Sequence, residues 1–132
     1  MADASGRIYT FYNGVEMIKK KHKSSCHQLA ILYTTVNKLE DAENLARQSI
    51  ELKYAACVNI IPAIKSIYIW NENIEETIEY SMIFKTIPDA LSVLEEWILK
   101  HHPYDLPSIL KWNAESSADF FQYINESIFT VL

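Results

Sequence analysis

The 132 residues, read in order, spell β-α-β-β-α-β-α, an order that predicts an α+β fold. Its first six elements give the ferredoxin-like, split βαβ arrangement, an antiparallel sheet with two helices on one face. Three stretches carry this prediction. A buried strand runs straight into an amphipathic helix, a long ribbon doubles back on itself, and a second helix leads into a last strand and a C-terminal helix.

The first strand is "LAILYTTV" (Leu29–Val36), dense in β-branched and aromatic side chains. Asn37, with Glu40 three positions on, is a capping-box start for the helix that follows. Leu39, Ala42, Leu45, Ala46 and Ile50 then recur at helical spacing and give it one buried stripe. "YAACVNIIPAIKSIYIW" (Tyr54–Trp70) is extended, with Pro62 marking an edge position or a bulge because proline cannot donate to a ladder. "NEN" (Asn71–Asn73) is the turn. "IEETIEYSMIFKT" returns with Ile78, Tyr80, Met82 and Phe84 on one face and Thr77, Glu79, Ser81 and Lys85 on the other. Counted from that turn, Lys65 falls opposite or next to opposite Glu79, an opposite-charge pair.

The second helix is Ile87–His102, with Pro88 at its first position, Leu91, Leu94 or Val93, and Ile98 buried, and Trp97 on or beside that stripe. Pro103 ends it, and His101 and His102 lie near the negative end of its dipole. "PSILKWN" (Pro107–Asn113) is the fourth strand of the domain. Glu115–Ile128 is the last helix, with Phe120, Phe121, Ile124 and Ile128 as its apolar side and Ser116, Ser117 and Asp119 as its cap. Residues 29–132 thus form one domain, and 1–28 form an extension expected to be flexible.

Charge and composition narrow the function. The extension holds five Lys/Arg against two Asp/Glu, a net +3; the remainder holds seven against fifteen, a net −8. An acidic body argues against a nucleic-acid groove, and "KKKHK" (Lys19–Lys23) reads as a solvated charged run over a contact with RNA or lipid. Cys26 and Cys57 make neither a disulfide framework nor a C-x-x-C pair, and imply free thiols in a reducing compartment. No apolar run approaches the ~20 residues of a membrane span, and no signal peptide leads the chain, so the expected location is cytoplasmic. The two glycines, Gly6 and Gly14, both precede the domain, which rules out a P-loop or G-x-G-x-x-G cradle within it.

The ribbon is too long for its domain. Its 17-residue first arm reaches roughly 56 Å at ~3.3 Å per residue, against a domain diameter of about 34 Å. Ile64, Ile67, Ile69, Trp70 and Ile74 near the tip are apolar, so the ribbon needs cover. Sister subunits supply it more economically than the third helix and the N-terminal segment would.

Several residues have chemistry to offer. His102 is either an imidazole ligand for copper or zinc or a helix cap; Cys57 is either a soft ligand for Cu(I) or a packed thiol. Register separates Cys57 from Glu79 by six to eight residues, ~20–26 Å, so a site using both needs neighbouring subunits. Lys85, with Tyr104 and His102, either lines a pocket for a small anion or is a solvated edge charge. A Cys57–His102 nucleophile pair lacks a third orienting group, and the expectation is a protein that is not an enzyme.

In order and spacing, "AACVNIIP", "SIYIW", Glu79, "MIFKT" and "HHPYDLP" resemble the CutA family of divalent-cation tolerance proteins, from about Leu29 to Ile128. The resemblance implies a tight homotrimer with interlocked hairpins and association with divalent metal, copper above all. It also implies a likeness to the PII signalling trimers, which leaves a second reading: a sensor or scaffold that takes a small anion or a protein partner in clefts between subunits. Pro62-Ala63 stands where the family commonly has Pro-Gly, and Trp70-Asn71-Glu72 where it has Trp-x-Gly. Because glutamate is strained at positive φ, Asn71 or Asn73 is expected to take the tight turn.

Overall fold

The computed structural model describes residues 8–12, 15–19 and 27–128. Cys26, Ser25, His22 and most of the basic run lie outside them. The elements are β1 (Ile8–Tyr12), β2 (Val15–Lys19), β3 (Gln28–Val36), α1 (Leu39–Glu51), β4 (Cys57–Trp70), β5 (Asn73–Thr86), α2 (Pro88–His101), β6 (Leu110–Glu115) and α3 (Ala118–Ser127). β1 and β2, which the sequence reading did not place, pair antiparallel as a two-stranded sheet of their own.

The remaining strands form one antiparallel sheet in the order β4-β5-β3-β6, which is the ferredoxin-like topology. Leu32 and Val36 of β3 and Met82 and Phe84 of β5 face α1 and α2, meeting Ala42, Leu45, Ala46, Leu94 and Ile98. At roughly 1.5–3 kcal/mol for each large side chain removed from water, this cluster is the main cohesive term of the domain. The opposite face is covered at one end by α3, where Ile124 and Ile128 pack on Leu29 and Ile87, with Cys57, Ala56, Ala90 and Phe121 around them.

Several expectations shift. Lys38, not Asn37, occupies the N-cap of α1 without a side-chain cap bond, so the capping box is not made. Leu39 and Ile50 are exposed, and the fourth position of the α1 stripe is Ser49, whose Oγ is satisfied by the Ala46 carbonyl. β6 starts at Leu110, three residues later than read, because Pro107, Ser108 and Ile109 belong to the loop that leaves α2.

The ribbon of β4 and β5 has 14 residues in each arm. Pro62 sits in a bulge: the register slips by one residue between Ile61 and Ile64, and Ala63 has φ 57°. At the tip the turn is two residues long, with both Asn71 (φ 50°) and Glu72 (φ 66°) left-handed and Trp70 paired with Asn73. Glu72 therefore does take the strained conformation expected to fall on an asparagine. The shorter turn also corrects the register: Glu79 stands opposite Ile64, while Lys65 faces Ile78 on the other side of the ribbon. The Lys65–Glu79 pair does not form.

Candidate functional site: a hydroxyl-held carboxylate beside a buried histidine

The ladder between β3 and β6 ends at Tyr33 opposite Leu110, so the next residues of β3 pair with β5 on one side but have no strand on the β6 side. The chain leaving α2 fills that place. His102 caps α2, its amide on the Ile98 carbonyl at 2.8 Å and its backbone extended ahead of Pro103. Its ring lies buried against β3. Nδ1 accepts the Tyr104 amide at 3.1 Å, so the neutral ring carries its proton on Nε2. Nε2–H points at the Thr35 carbonyl (3.0 Å) and the Thr34 hydroxyl (2.9 Å). Burial, the leading influence, holds this imidazole below its ordinary pKa, against the opposing pulls of the Thr35 carbonyl, Glu79 and Asp41.

The same turn aims Tyr104 across the sheet. Its ring meets His102 edge-on at 4.9 Å, and its hydroxyl donates to Glu79 Oε2 at 2.7 Å. Glu79 is only 7% exposed. Burial, the largest influence on it, works to raise its pKa. Hydrogen bonds from Ser66, Tyr104 and Thr35, with His102 nearby, outweigh that and leave the carboxyl below its ordinary value. The Tyr104 phenol is pushed up, by burial first and by Glu79 second, so it remains a donor. The result is a buried anion held by hydroxyls. It lies on the floor of a cleft of about 490 Å³, walled by Tyr68, Trp70, Thr77, Leu106 and Ser108.

The sequence-derived candidates thus divide. Glu79, Tyr104 and His102 come together. Cys57 pairs with Lys85 at the far end of the ribbon, six residues along β5 from Glu79, roughly 20 Å. Lys85 Nζ lies 5.6 Å from the centre of the Phe120 ring. Both His102 nitrogens are engaged within the chain, so an ion on either would first displace the Tyr104 amide or the Thr35 carbonyl. Sequence reasoning missed Thr34, Thr35 and Ser66. Two threonines closing an otherwise apolar buried strand were the available signal, because buried hydroxyls require partners. Among the described residues, no three His, Cys, Asp or Glu side chains converge as a metal cage. No helix among them is long and apolar enough to cross a membrane.

Comparison with known proteins gives this geometry a family. The chain is 30% identical over 111 residues to the chloroplastic protein CutA of Arabidopsis thaliana, covering 83% of this chain and 61% of that protein, so it spans about three fifths of the relative's length. It is 34% identical over 88 residues to the divalent-cation tolerance protein CutA of Yersinia pestis, covering 66% and 74% of the two chains. The solved structure of CutA from Synechococcus elongatus superposes with a TM-score of 0.75 at 36% identity, over 78% of this chain and 92% of that one. The family model described as "CutA1 divalent ion tolerance protein" matches residues 30–127, from β3 through α3. With fold, extent and sequence in agreement, the chain belongs to the CutA1 divalent ion tolerance family.

Proposed function

We propose that the chain works as a homotrimer that binds a divalent cation, copper foremost, by holding the ion and not by catalysis. One observation carries the reading: in a chain of a divalent-ion tolerance family, an ionised carboxylate, Glu79, is buried at a cleft floor and stabilised by hydroxyls. That leaves its charge available to a cation. Carboxylate and hydroxyl oxygens alone suit harder ions, so a copper site here would be completed by softer donors, the imidazole of His102 or the thiol of Cys57 from a neighbouring subunit. Support for association comes from the ribbon, where Ile67, Ile69, Trp70, Ile74 and Ile78 are each more than half exposed. Three copies is the number the family resemblance implies.

In this reading Tyr104 steadies Glu79, and His102 holds Tyr104 in place or joins the ion by releasing one of its own bonds. Cys57 and Lys85 reach the same cleft only from another copy. The alternative of a PII-like cleft for a small anion meets the like charge of Glu79. Residues 29–132 act as the functional domain with 1–28 as an extension, and the cytoplasm is its compartment, supported by the free thiol of Cys57. The test is calorimetric titration of Cu(II) into the wild type and Glu79→Gln. One class of bound ion should weaken at least tenfold in the variant. Identical isotherms would overturn the reading, and a rise in melting temperature with an anionic metabolite would favour the sensor.

A further inference from the structure

His101 and His102 are adjacent, and their rings are bonded in opposite senses. His101 Nδ1 lies 2.8 Å from the Trp97 carbonyl oxygen, which can only accept. The neutral ring therefore carries its proton on Nδ1 and keeps the lone pair of Nε2. The ring is stacked on Trp97, with centroids 4.8 Å apart and planes at 26°, so its direction is fixed although it is exposed. A backbone carbonyl on one imidazole nitrogen, leaving the other free, is the support that orients metal-binding histidines. His102, by contrast, has both nitrogens satisfied.

The His101 ring borders a pocket of about 200 Å³ between α2 and α1. From α1 come Asp41, Asn44 and Gln48, positions about one turn apart that share one face of that helix. These supply a carboxylate and two amide oxygens, and His101 lies in the last turn of α2, where the helix dipole favours positive charge. Imidazole nitrogen beside carboxylate and carbonyl oxygens suits borderline divalent ions such as Cu(II), Zn(II) and Ni(II).

We propose that His101, through Nε2, forms with Asp41, Asn44 and Gln48 a second divalent-cation site, on the helical side of the domain and separate from the Glu79 cleft. The choice of a divalent ion rests on the family reading above; the location rests on the ring geometry alone. This site belongs to a single chain, since all its groups come from α1 and α2.

The test uses the full chain, labelled with ¹⁵N, with Zn(II) as a diamagnetic probe and the imidazole nitrogens followed by long-range ¹H–¹⁵N correlation. His101 Nε2 should shift on titration while its Nδ1–H resonance persists. Affinity read from that shift should fall at least threefold in Asp41→Asn, and the bound-zinc signal should vanish in His101→Ala with the fold intact by its amide spectrum. If zinc moves only other histidine rings, or His101→Ala binds one ion as before at this face, the proposal is overturned. Glu79→Gln separates the two readings. A His101 response that survives in it supports the second site whatever becomes of the cleft. No zinc response at any ring would overturn this site, and an intact Glu79-dependent copper event would then leave the cleft standing.

Discussion

At the scale of single residues, the controlling fact is how buried polar groups are satisfied. His102 is neutral because its Nδ1 must accept and its Nε2 must donate. Protonation sets an N–H against the Tyr104 amide. Its folded pKa lies below the ordinary 6.5, so its contribution to stability is present above that value and is lost as pH falls beneath it. Glu79 has the same sign lower down, its share being lost below its ordinary 4.5. Urea midpoints recorded from about pH 8 to about pH 3 should therefore decline in two stages. His102→Gln, less stable throughout, should lack the upper stage. A wild-type midpoint that stays level across the histidine range would refute the account of the ring.

At the scale of elements, the ribbon shows where local strain is tolerated. Two left-handed non-glycine residues close its tip, and the left-handed conformation costs roughly 1–2 kcal/mol for an L-residue. Glu72→Gly creates the asparagine-glycine pair that two-residue hairpins favour, and should raise the unfolding free energy by about 1 kcal/mol. Equilibrium denaturation would show it, and an unchanged midpoint would mean the strain is relieved elsewhere. Most elements were legible in the sequence, since strands such as Leu29–Val36 and the stripe of Ala42, Leu45 and Ala46 announce themselves by period. The turn was misjudged by one residue because the three polar residues Asn71–Asn73 gave no sign of where pairing resumes, and that residue removed the imagined partner of Glu79. The site was legible only in Glu79 and Tyr104, which line the cleft, and in His102 behind them. Their joining depends on where β6 starts, which composition does not encode.

At the scale of the whole molecule, one face of the sheet is closed by α1 and α2, while among the described residues α3 covers one end of the other. Ile69 and Ile74, 76% and 77% exposed, face each other at the outer end of the ribbon. Replacing both with lysine should convert the proposed trimer, three times 15.3 kDa, into single chains by sedimentation, with far-UV dichroism retained. A wild type that sediments as one chain would remove the assembly. The two-residue hairpin loop has a last consequence. It acts as the zero mark of a ruler, because every pairing between it and the bulge is counted from there. A residue inserted at the tip and passed along the strands would bring a lysine level with the lone carboxylate and cancel its charge, from roughly 20 Å away. Loop length at the tip thus governs the sign of the field at the middle of the ribbon, so a length change there acts on the cleft as directly as a substitution within it.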